Sequence, residues 1–126
     1  MAEWIVDANN VMGSRHQPSG RDRRGAARRL VARLETFAGA RDEPVTAIFD
    51  GRPHDAGGGE RVAVMFARRS GADAADDDVA ALVARHPDPG SLTVVTSDAA
   101  LAARVRDAGG EVIGTGAFLR LLDDAE

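Results

Sequence analysis

The chain has 126 residues and a formal net charge of −4, with 44% hydrophobic residues but only 4% aromatic, which suits one domain whose core is built from Val, Ala, Leu and Ile. There is no cysteine, so disulfides and thiolate metal sites are excluded, and any metal must be held by oxygen or by His16, His54 and His86. All 16 cationic residues are arginine, and the net negative charge argues against indiscriminate nucleic-acid binding without excluding a basic face beside an acidic pocket.

In chain order, residues 3–7 (Glu-Trp-Ile-Val-Asp) form a short apolar run ending in Asp7. Residues 22–40 place Ala26, Leu30, Leu34 and Phe37 at helical spacing with arginines on the other faces, an amphipathic crossover helix. Residues 45–50 repeat the apolar run and close on Asp50. The segment 51–60 carries four glycines and reads as a flexible loop beside the site. Residues 61–67 form a fourth strand-length run, 76–85 a helix, and 92–98 another apolar run closed by Asp98. A helix over 99–108 ends at Gly109-Gly110, followed by a short strand over 111–113 and a terminal helix over 116–122.

Apolar runs of this kind imply parallel strands buried on both faces, and their alternation with helices implies right-handed crossovers. The expected fold is a single three-layer α/β domain: a mainly parallel sheet of about five strands flanked by helices. No apolar run approaches the roughly 20 residues needed to cross a bilayer, and Met1-Ala2-Glu3-Trp4 lacks the form of a signal peptide. The expectation is a soluble, cytoplasmic protein with no membrane partner.

In open α/β sheets ligands bind outside the carboxyl ends of the strands. Asp7, Asp50 and Asp98 end strands there, and Asp76 opens a helix at the same edge. Gathering carboxylates is unfavourable without compensation, because like charges raise one another's pKa, and a hard divalent cation is the usual remedy. Mg²⁺ or Mn²⁺ takes oxygen ligands, and Mg²⁺ commonly accepts only one or two carboxylates directly, leaving others to orient its waters. Each aspartate also has a simpler role: Asp98 suits the N-cap of the helix that follows it, and Asp76, Asp77 and Asp78 are favoured at a helix start by the macrodipole. Asp77 and Asp78 face different directions on a helix, and Asp77 is the one expected to join Asp76.

Asp7-Ala8-Asn9-Asn10-Val11-Met12 after an apolar strand resembles the opening motif of NYN domains, PIN-like ribonucleases in which asparagine follows the aspartate by three residues. Phe49-Asp50, Ala75-Asp76-Asp77-Asp78-Val79 and Val95-Thr96-Ser97-Asp98 are similar, in the same order, to motifs of the YacP-like bacterial branch. The resemblance spans nearly the whole chain and implies a PIN-like (Rossmannoid) fold. It implies an acidic catalytic site of Asp7, Asp50, Asp76 and Asp98, with Asn10 holding a metal water or a phosphate and Ser97 donating to the same network. Asn9 stands where an aromatic is often found, and Ala8 where glycine is.

The function implied is Mg²⁺- or Mn²⁺-dependent hydrolysis of RNA phosphodiester bonds, with metal bound by Asp7, Asp76, Asp98 and Asp77. Arg15, Arg52 and Arg68 lie near the catalytic edge, where bidentate pairing could hold the phosphates of RNA. With few aromatics to stack bases, sequence-specific readout looks weak. The three histidines fall in loops or at a helix end, which gives a Ser–His nucleophile little support. Small PIN-like proteins often pair, so a homodimer is also an expectation. Two other classes fit parts of the pattern: a PIN-like module that binds RNA or protein without cutting, and a receiver-type signalling domain. Receiver domains resemble one another in using a lysine at a later strand end, and this chain has no lysine.

Overall fold

The computed structural model describes residues 2–13, 20–67 and 74–126. Within them the apolar runs become five strands of one sheet: β1 (Glu3–Asp7), β2 (Val45–Phe49), β3 (Val62–Phe66), β4 (Leu92–Val95) and β5 (Glu111–Ile113). Their order is β3-β2-β1-β4-β5, and every pairing is parallel. The chain steps outward from β1 to β2 and β3, then crosses back to lay β4 on the far side of β1. That reversal puts the ligand-binding crevice of an open sheet at the carboxyl ends of β1 and β4.

The helices are α1 (Ala8–Gly13), α2 (Gly20–Arg41), α3 (Ala74–Arg85), α4 (Ala99–Asp107) and α5 (Thr115–Ala125). Strand side chains alternate between two cores, as the period of a pleated strand requires. Trp4, Val6, Ala47, Phe49 and Val95 pack with α1, α2 and α5, while Ile5, Ile48, Leu92 and Val94 pack with α3 and α4. The result is the expected three layers. Asp7 follows Ile5 in the alternation and so looks toward the α3 and α4 side.

α2 buries Ala27, Leu30, Val31, Leu34, Phe37 and Ala38, a stripe at helical spacing, and is about a turn longer than the sequence pattern indicated. It ends at Asp42, whose φ of 55° is the left-handed conformation that stops a helix. At the amino edge of the sheet, Trp4, Phe37 and Phe118 make a three-ring cluster with centroids 5.1 to 5.8 Å apart, tying β1, α2 and α5 together. α4 ends as the Gly109-Gly110 pair implied: the Gly109 N–H donates to Arg106 O and the Gly110 N–H to Val105 O, a Schellman closure with Gly109 at φ 98°.

One helix has no counterpart in the sequence pattern: α1 follows β1 directly. The parallel β2–β3 crossover contains no helix, as the glycine-rich stretch implies, and the loop itself takes that place. Its Ala56 is 2% exposed and sits in the α2 core, and a side chain at Gly59 would fall 2.3 Å from Glu35 Oε1, the atom that accepts the Val62 N–H. No helix among the described residues is long and apolar enough to cross a membrane.

Candidate active site at the carboxyl edge

Asp7 ends β1 and is 5% exposed. Its carboxyl pKa is pushed up to about 6, chiefly by burial, and further by the charges of Asp76 and Asp50; a bond from Thr96 and the Asn10 backbone amide pull the other way. The dominant cause is therefore desolvation, with mutual repulsion second, whereas the sequence pattern pointed to repulsion. Asp50, one residue beyond β2, is also raised by burial, opposed by its bond from the Ala75 backbone N–H at 3.3 Å. Asp76 is half-buried in the first turn of α3, near enough to bear on Asp7. Three of the four expected aspartates thus meet in one electrostatic cluster.

Asp98 sits at the same edge but is committed to helix capping: its Oδ1 accepts the Leu101 N–H at 3.0 Å as the N-cap of α4. Thr96, 2% exposed, joins the two sides of the crevice. Its hydroxyl donates to Asp7 Oδ2 at 3.1 Å and accepts the Asp98 backbone N–H at 3.1 Å.

The Asn10 side-chain carbonyl accepts the Ser97 backbone N–H at 2.8 Å, so this oxygen braces the β4 loop. The Ser97 hydroxyl is spent within the protein, 2.8 Å from the Thr115 hydroxyl and accepting the Thr115 N–H at 2.9 Å. Asp77 departs from expectation. Arg104 of α4 holds it in an exposed ion pair at 3.0 Å, outside the set of charges that acts on Asp7. Arg52 is exposed two residues past Asp50, and Arg15 and Arg68 lie outside the described residues. His86 bonds Glu3 at the opposite edge, 3.3 Å away, and His54 packs edge-on against Phe49 and Phe66, so neither serves a Ser–His pair.

Among the described residues no three Asp, Glu or His side chains form a ready-made cage for an ion. The donor set suits a hydrated hard cation, which needs only one or two direct carboxylates, better than one enclosed by protein. Thr96 and Asn9, whose carbonyl accepts the Asp50 backbone N–H at 2.7 Å, are parts of the site to which the sequence pattern assigned no role. Their signal was weak: Thr96 lies inside a matched motif, and Asn9 registered only as a departure from one.

The chain belongs to the YacP-like NYN domain family, whose model matches residues 4–126, and NYN domains are a PIN-like nuclease family. Two solved structures share the fold. Rae1 (YacP) from Bacillus subtilis matches with a TM-score of 0.80 at 19% identity, over 99% of this chain and 75% of that chain. A point mutant of Rae1 matches with a TM-score of 0.80 at 20% identity, over 99% and 77% respectively. No curated protein matches the chain.

Proposed function

We propose that this chain is a metal-dependent ribonuclease that hydrolyses RNA phosphodiester bonds at the Asp7 cluster. The observation that carries the reading is Asp7 itself, a carboxylate buried at the crevice and raised to about 6 with Asp76 and Asp50 bearing on it. Burying a carboxylate among others is costly, and a divalent cation relieves that cost. Membership of a PIN-like nuclease family supports a polynucleotide substrate, and the resemblance in the four motifs supports RNA.

Asp7 and Asp76 are the residues that would hold Mg²⁺ or Mn²⁺, with Asp50 and Asp98 at the same edge beside them. Such an ion supplies an activated water near neutral pH and neutralises charge on the scissile phosphate. The chain's own groups prepare that chemistry. Thr96 holds the Asp7 carboxylate in one orientation, and the amino ends of α3 and α4 face the edge with the positive end of the helix dipole. Arg52, with Arg15 and Arg68, is proposed to pair with phosphates flanking the cut. Asn10 and Ser97 contribute by bracing, through their bond to each other.

The test is cleavage of labelled single-stranded RNA in Mn²⁺ by wild type, Asp7→Asn and Asp76→Asn. Loss of activity in both variants, with their folds intact, is expected. Cleavage surviving in both would assign the activity to a contaminant or another site. RNA binding without cleavage by the wild type would favour a silent PIN-like binding module.

A further inference from the structure

β1 stops pairing with β2 at Asp7, which lies opposite Ile48, because the chain turns there into α1. Asn9 lies in the first turn of α1, two residues past the end of β1, and Asp50 follows the last residue of β2. The Asp50 N–H has no β1 ladder acceptor at that point, and the Asn9 side-chain carbonyl takes it at 2.7 Å. Asp50 then passes the restraint on: its Oδ1 accepts the Ala75 N–H at the start of α3, the helix whose next residue is Asp76. One continuous chain of bonds runs from the end of β1 through Asp50 to the acidic end of α3.

We infer that Asn9 is a positioning residue that fixes the Asp50 and Asp76 carboxylates relative to Asp7, and so sets the affinity of the site for its divalent cation; this rests on the metal-dependent reading above. Asn9 touches neither cation nor substrate in this scheme. It acts by supplying a side-chain acceptor where the sheet's backbone acceptor ends. Partners of this kind behind a metal site are commonly worth about 10–100-fold in affinity or activity.

The experiment compares wild type, Asn9→Ala and Asn9→Asp, the last of which keeps an acceptor oxygen at the same reach. Amide hydrogen exchange of the metal-free protein reads the Asp50 N–H directly, Mn²⁺ electron paramagnetic resonance reads ion affinity, and RNA cleavage against Mn²⁺ concentration reads function. Asn9→Ala should speed Asp50 exchange at least about tenfold and weaken Mn²⁺ by about tenfold or more, with the KM for RNA within about twofold. Asn9→Asp should keep Asp50 protected and recover most of the Mn²⁺ affinity. Wild-type Mn²⁺ affinity in Asn9→Ala overturns the inference, as does equal weakening in both variants, which a purely local loss of fit would produce. If the wild type binds Mn²⁺ but cuts no RNA, the nuclease reading fails while exchange and resonance still decide the role of Asn9.

Discussion

Thr96 and Asp7 are joined by a hydroxyl-to-carboxylate bond of 3.1 Å across the seam between β4 and β1, and both side chains are buried. The same hydroxyl accepts the Asp98 N–H, so one oxygen orients Asp7 and the start of α4 together. Thr96→Val keeps the shape and removes both bonds. It should cost about 1–3 kcal/mol in urea unfolding, because the Asp98 N–H loses its acceptor. The acid limb of the pH–rate profile should also move to higher pH, since a bond that lowers the Asp7 pKa is gone. Thr96→Ser should restore both measures, and an unmoved profile in Thr96→Val would count against this role.

The proton affinity of Asp7 predicts a direction for stability. Its folded pKa of about 6 lies above the ordinary 3.8, so the folded state holds the proton more tightly than the unfolded chain. The stability it contributes is fully present below about pH 3.8 and is lost as pH rises through about 6. Asp7→Asn carries no charge at any pH. Without divalent ions it should exceed wild type by about 2–3 kcal/mol at pH 8, and the difference should fade near pH 4. Chemical unfolding with a chelator at the two pH values checks this; a variant less stable than wild type at pH 8 would contradict it.

Divalent cation should reverse the pattern. An ion bound to the folded protein stabilises it by about 2.7 kcal/mol at a hundred times its Kd. Mn²⁺ should therefore raise the Tm of wild type and leave that of Asp7→Asn nearly unchanged. Equal shifts in the two proteins would place the binding elsewhere.

Asp98 can be divided into its two roles. Asp98→Ala removes the N-cap of α4 and should cost about 0.5–2 kcal/mol. Asp98→Asn keeps an oxygen for the Leu101 N–H and should leave stability within a few tenths of a kcal/mol. Paired measurement of Tm and Mn²⁺-dependent cleavage separates them: full activity in Asp98→Asn would reduce Asp98 to a cap.

Asp77 is expected to be dispensable. Its exposed pair with Arg104 is worth under about 1 kcal/mol. Asp77→Asn should retain near wild-type cleavage and Mn²⁺ dependence, and a loss comparable to that in Asp76→Asn would return it to the site.

Five apolar runs and the helical stripe of α2 were legible in the amino-acid order because a strand buried on both faces reads as a short continuous apolar run and a half-buried helix repeats near every 3.6 residues. The same order placed Asp7, Asp50 and Asp76 at one edge, since parallel strands share a direction and therefore an end. It could not show which oxygens were already engaged. The capture of Asp77 by Arg104, the commitment of Asp98 to α4, the turn of Asn10 toward Ser97 and the Asn9 bond to Asp50 join residues 27, 3, 87 and 41 positions apart. Except for the local cap, these are settled by how helices pack across the sheet. Desolvation of Asp7 has the same origin: a carboxylate at a strand end becomes a buried one only when α1, α3 and the β4 loop close around it, and that closure is a property of the folded chain.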